Sequence, residues 1–179
     1  DGGIAFRLRS GDDLSGLDLS NSFLRGAKMS GAKLSGCRFR KSDLRMVELD
    51  KSDLNGADLS GANMTFISLV QADLSGAMVD EAYIAGAGLE DVNLEGSSMQ
   101  RTRLSAARLH RANMKRVEAT GVNIHASTLS AADLSSANLT DASIVSTSLR
   151  GANLSHATLA GAVLMGELGD ADLRGVNAA

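Results

Sequence analysis

Proline and tryptophan are absent from this chain of 179 residues, and tyrosine occurs once. Aromatic residues make up only 3%. A compact globule fills much of its core with rings, so this scarcity points to a narrow interior. Cysteine also occurs once, at Cys37, which excludes an intramolecular disulfide framework and a multi-cysteine zinc site. The lack of disulfides fits a reducing compartment, and a cytoplasmic location is expected. No apolar run reaches the roughly 18 residues that mark a membrane-spanning helix, and no signal-peptide pattern is visible. The first residue is Asp1 rather than Met, which fits a processed product or an excised domain. A surplus of one charge is lacking as well. With 18 basic and 21 acidic residues the net charge is −3, too balanced to demand nucleic acid or a membrane surface as partner.

What is present is a repeat. Every fifth residue from Leu14 is apolar: Leu14, Leu19, Leu24, Met29, Leu34, Phe39, Leu44 and onward without a break to Leu164. Two residues before each centre stands a small residue, most often alanine, as at Ala27, Ala32, Ala57, Ala62, Ala72 and Ala77. The unit reads Ala-(Asp/Asn)-Leu-Ser-Gly, as in Ala57-Asp58-Leu59-Ser60-Gly61. An α-helix cannot carry this period. Five residues turn it through about 500°, so the leucine column would wander around the axis. A flat strand fails too, because side chains alternate and an odd spacing sends successive leucines to opposite faces. The chain must therefore turn once per repeat, with alanine and leucine pointing inward and the outward positions containing the corner.

A second period of twenty sets the number of sides. Gly16, Gly36, Gly56, Gly76 and Gly96 are spaced by it, and so is the column Asp13, Lys33, Asp53, Asp73, Asn93, Asn113, Asp133, Asn153. Four repeats per coil give a four-sided coil, and centres 14 to 164 give about eight coils. At about 4.8 Å per stacked strand the rod is roughly 38 Å long.

These residues resemble the pentapeptide-repeat family, whose members form right-handed quadrilateral β-helices. The resemblance covers residues 12–164. It implies an all-β, parallel solenoid. Residues 1–11 break the repeat and are assigned to an N-terminal cap, where Phe6 and Leu8 shield the first strand edges. After Leu164 the register slips by one and resumes at Leu168 and Leu173, so 165–179 form a distinct C-terminal end. Ala119, a small residue at a centre, is expected to leave a local void, and Ile67 to push the wall outward.

Chemistry is sparse in this pattern. His110, His125 and His156 fall on three different sides, which is poor geometry for a shared metal ion. Cys37 falls in the small inward column and reads as a buried alanine substitute. The serines follow centres on a flat wall with no paired base. No catalytic residue, cofactor or metal is expected, and the chain is read as a non-enzyme. The Asp and Asn residues before each centre read as turn residues that satisfy nearby backbone groups.

Surfaces carry more information. Asp50, Asp53, Asp73, Glu90, Asp91 and Glu95 should gather near one corner. Arg101, Arg103, Arg108, Arg111, Lys115 and Arg116 wrap a later coil, and Arg25 to Arg45 form an earlier basic band. Bands that wrap a rod are poorly shaped for a phosphate backbone, and stacking aromatics are absent, so a nucleic-acid partner is not expected. Met46 and Phe66, twenty apart, should stack on one corner with Val70 just around it. Val163 and Met165 should face outward at the open end, beside Leu168 after the register slip, and this end should support weak homodimers. The function expected is a non-catalytic scaffold with flat polar faces for an unidentified protein partner. The family resemblance implies an alternative, since its quinolone-resistance members mimic duplex DNA and bind type II topoisomerases such as gyrase. The net charge of −3, the basic bands and the lack of a clear C-terminal dimer helix count against that alternative.

Overall fold

The computed structural model describes residues 9–179, and among these there is no helix. Phe6 and Leu8, on which the cap assignment rests, lie outside the described residues. Gly11, assigned to the cap, already belongs to the coil pattern, because its amide donates to the Ser30 carbonyl at 3.1 Å.

The chain is a parallel β-solenoid with a twenty-residue step that shortens only near the C-terminus. Four bridge columns run along it, one per wall. The first wall stacks Asp13, Lys33, Asp53, Asp73, Asn93, Asn113, Asp133, Asn153 and Asp172. The second begins Asp18, Arg38, Asp58, Met78 and the fourth Lys28, Glu48, Ser68, Gly88. The third begins Phe23, Asp43, Asn63, Tyr83 and then widens into continuous strands. These are β1 (Tyr83–Ala85), β2 (Arg103–Ser105), β3 (Asn123–His125), β4 (Ser143–Ser148) and β5 (Val163–Glu167). They pair in sequence order as a five-stranded parallel sheet. The centres of this wall include Ile84, Ile124 and Ile144, and β-branched residues favour the extended backbone.

The backbone accounts for its own polar groups coil by coil. Each centre amide donates to the coil above, as Leu54 to the Asp73 carbonyl at 2.7 Å. The preceding amide donates to the coil below, as Asp53 to the Ala32 carbonyl at 3.0 Å. Most corners close with a turn bond, such as Ala57 N–H to the Leu54 carbonyl at 2.9 Å. Two corners beside the strands use hydroxyls instead. The Ala107 amide donates to Ser127 Oγ at 3.1 Å, and the Ser127 amide to Thr147 Oγ1 at 3.3 Å.

Every corner but the shortened one at Gly166 places a residue in the left-handed region, which explains the glycine column. It runs through Gly96, but Arg116, Ser136 and His156 continue it at φ 52°, 58° and 60°. An L-residue there costs roughly 1–2 kcal/mol, so coil stacking dictates the conformation even where glycine is missing. From Met29 to Leu154 the interior is a stack of fully buried centres flanked by the small column. Ile67 and Ala119 are both buried within it, the latter between Val117 and Val122 of the small column. Polar members of the small column are tied down across coils. Ser42 and Ser52 hydroxyls donate to the Leu19 and Met29 carbonyls of the preceding coil at 2.7 and 3.0 Å.

The twenty-residue step shortens by one near the C-terminus. Val145 pairs with Met165, but Thr147 pairs with Gly166, leaving Ser146 bulged out. A side chain at Gly166 would collide with the Thr147 carbonyl group and lie 3.2 Å from its amide nitrogen. Glycine is therefore required by a close backbone approach. Gly166→Ala should open the last coil. Amide exchange across residues 163–177 should accelerate by about tenfold or more while the Leu94 amide keeps its protection. Unchanged exchange at the C-terminal coil would contradict this role for Gly166.

Candidate binding surfaces

The side chains with catalytic or metal-binding potential are separated or committed. Among the described residues no cluster of three His, Cys, Asp or Glu could hold a metal ion. The Cys37 thiol is buried and donates to the Leu14 carbonyl. Burial pushes it up from its ordinary value, which suppresses thiolate chemistry. Asp and Asn residues before the centres accept the amide two residues on, as Asp73 does from Ser75 at 2.9 Å and Asp133 from Ser135 at 3.0 Å. Some also form a side-chain ladder up the first wall, where Asn93 Nδ2 donates to Asp73 and Asn113 Nδ2 to Asn93, both at 2.9 Å. These contacts are structural.

The six acidic residues singled out by sequence are all half-buried. Asp53 and Asp73 are direct bridge partners. Asp53 accepts the Ser35 hydroxyl at 2.6 Å, and Asp50 accepts the Ser68 hydroxyl and the Val70 amide at 2.5 and 3.0 Å. Glu90 meets Arg108 at 2.6 Å, Asp91 takes a two-pronged contact from Arg111 at 2.6 Å, and Glu95 pairs with Arg116. The later basic band therefore neutralises Glu90, Asp91 and Glu95, while Asp50, Asp53 and Asp73 have no ion pair among the described residues. The earlier band behaves alike: Lys33 pairs with Asp13, Arg38 with Asp18, Arg40 with Asp58 and Arg45 with Asp43.

Several of these carboxyls are held below their ordinary range. The Arg45 hydrogen bonds hold Asp43 at about 2, and the Arg174 bonds hold Asp172 at about 2. Arg111 lowers Asp91 in the same way. Burial pushes Asp58 up, but the Ser60 hydroxyl and Arg40 outweigh it and the net shift is downward. A carboxyl depressed in the folded state stabilises fully above its unfolded value near 4, and that contribution disappears as pH falls through the folded value. The melting temperature should therefore stay level down to about pH 4 and fall between about pH 4 and pH 2. A melting temperature that is flat across that window would show that these contacts do not persist in solution.

Met46 and Phe66 both project outward from the corner after the third wall, at φ 60° and 58°. The Phe66 ring lies across Gly86 of the next coil, where an added Cβ would sit 2.5 Å from it. At the C-terminal end Val163 and Met165 are exposed on β5, but Leu168 is not beside them. The shortened step brings Glu167 over Leu149, whose amide donates to it at 2.8 Å. Leu168 thereby becomes a centre of the fourth wall and packs against the core.

A family model for pentapeptide repeats matches this chain in eight copies, over residues 13–45, 47–76, 87–125 and 132–166. The chain belongs to the pentapeptide repeat family. Among solved structures it resembles HetL of the cyanobacterium Nostoc, at 27% identity over 93% of this chain and 89% of that one, with a TM-score of 0.63. It also resembles trypsin-treated QnrB1, a plasmid-mediated fluoroquinolone resistance protein, at 19% identity over 97% of this chain and 84% of that one, with a TM-score of 0.55. The second likeness is one of fold. A comparison with curated protein sequences finds no match.

One surface of this pentapeptide repeat rod escaped the sequence pattern. Phe23 and Tyr83 stand in the same outward column of the third wall, with Asp43 and Asn63 between them. Together with Phe66 they place exposed rings on or beside one wall, so stacking aromatics are present after all. The signal was available in the twenty-residue count, since residues 23 and 83 share a column.

Proposed function

We propose that this pentapeptide repeat protein is a non-catalytic scaffold whose flat walls bind a protein partner. The observation that carries this reading is the coil-to-coil tying of surface side chains. Arginines, carboxylates and amides are held by partners 18 to 21 residues away, so the walls present fixed groups on a regular lattice. A preordered surface loses little side-chain freedom on binding. The described recesses are shallow and lined by small hydroxyl residues or charged tips, such as the one bounded by Ser127, Thr147, Ser148 and Glu167. HetL is described as involved in heterocyst differentiation regulation, and a regulatory role is what this reading carries over from it.

Mimicry of duplex DNA has less support. It needs a negative surface, and Glu90, Asp91 and Glu95 are matched by Arg108, Arg111 and Arg116. The scaffold reading is tested by placing a photoreactive benzoylphenylalanine at one outward position per wall, at Asn55, Gln100, Arg103 and Glu48, in cells of the source organism. One wall should give a dominant, reproducible protein adduct. Faint adducts from all four walls alike, or none from any, would contradict it.

A further inference from the structure

We infer that the third wall is the docking face, and that its occupant is a partner protein presenting carboxylates beside aliphatic side chains. This rests on the scaffold reading and names its face and its partner chemistry. The third wall differs from the others in three respects. It alone widens into the five-stranded sheet β1 to β5. It concentrates exposed rings and sulfur: Phe23 is 89% exposed, Phe66 64%, Met46 52% and Tyr83 47%. Its charge is positive on a chain whose net charge is −3.

The sign of that charge selects the occupant. Asp43 is the one carboxylate in the outward column from Phe23 to Val163, and Arg45 grips it with two bonds at 2.7 and 2.5 Å. Among the described residues Arg103 has no carboxylate in salt-bridge range, and neither has Arg25, whose one side-chain contact is with Met46 Sδ at 3.9 Å. Two available guanidinium groups thus flank the aromatic patch. Aromatic and arginine side chains dominate protein recognition when a partner buries them, and opposite potentials favour the encounter. A phosphate backbone would require a row of cations along its path, and this wall offers only two that are separated along the axis. A second copy would bring the same positive wall to the contact, which like charge disfavours.

The test uses the full chain and a phage-displayed library of random twelve-residue peptides. Enriched sequences should combine Asp or Glu with Leu, Ile or Val. Synthetic versions, followed by fluorescence polarisation, should bind at least tenfold more weakly to Arg25→Glu/Arg103→Glu and to Phe23→Ser/Tyr83→Ser. Raising the salt concentration should weaken them as well. All four sites are exposed, so circular dichroism melting curves should match the parent, and the charge variant serves if the aromatic one does not fold. Enrichment of basic peptides, or tighter binding of oligo(dT) through the same residues, would overturn the assigned partner. Binders that ignore both variants but respond to changes on another wall would overturn the face and leave the scaffold reading standing. No enrichment by any wall would count against both.

Discussion

Leu94→Asp should cost about 4 kcal/mol or more and lower the melting temperature by roughly 8–16 °C. Leu94 is a fully enclosed centre of the first wall, stacked between Leu74 and Met114. Its amide is already committed to the Asn113 carbonyl at 2.7 Å. A carboxylate placed there enters an apolar stack that holds no buried cation to pair with it. Asn123→Asp, on the exposed side of β3 and one coil above Arg103, provides the contrast and should be within about 0.5 kcal/mol of neutral. Thermal unfolding of both variants separates inward from outward positions directly. Equal shifts would mean that the inward column is misassigned.

Phe39→Ala should be the second large effect, at about 3–5 kcal/mol. Phe39 has the largest fully buried side chain in the rod and replaces leucine at a centre of the second wall, between Leu19 and Leu59. Truncation would remove a whole ring from a stack with narrow walls, and the backbone bonds from Leu19 to Arg38 and from Phe39 to Asp58 resist collapse. Phe39→Leu restores the residue type that most other centres use and should cost less than about 1.5 kcal/mol. Denaturant unfolding of the pair distinguishes a cavity from a specific need for a ring. If the leucine variant were as unstable as the alanine one, the coil would be shaped around the aromatic side chain.

The five- and twenty-residue periods were legible because each coil repeats one backbone solution, so inward and outward positions recur by simple counting. Phe39, Leu94 and Cys37 are buried where the count places them. The dip in register, with Leu168 as a resumed centre, was legible too, but not that Leu168 would sit on a different wall from Val163 and Met165. A nineteen-residue step moves Leu168 into the column of Leu149, so it packs against the core and not beside the exposed Val163 and Met165. The electrostatic character of the corner was also out of reach. Asp91 and Glu95 look exposed and acidic by position, yet side chains 20 and 21 residues later reach across one coil to cover them. That reach depends on rotamers, not on spacing. The corner hydroxyls of Ser127 and Thr147 stand twenty residues apart in the small column, but that they replace a turn bond could be seen only in three dimensions.

The most direct test of a charge-matched binding rod, as opposed to a negative DNA-shaped one, is a gyrase supercoiling assay. It would use the purified chain at micromolar concentration, with and without a fluoroquinolone. Because the acidic set at Glu90, Asp91 and Glu95 is paired across coils, supercoiling should proceed unchanged and the drug should act as it does without the chain. Inhibition or drug protection, lost when Asp53, Asp73 and Asp91 are each replaced by lysine, would contradict the account and make mimicry of duplex DNA the function of these walls.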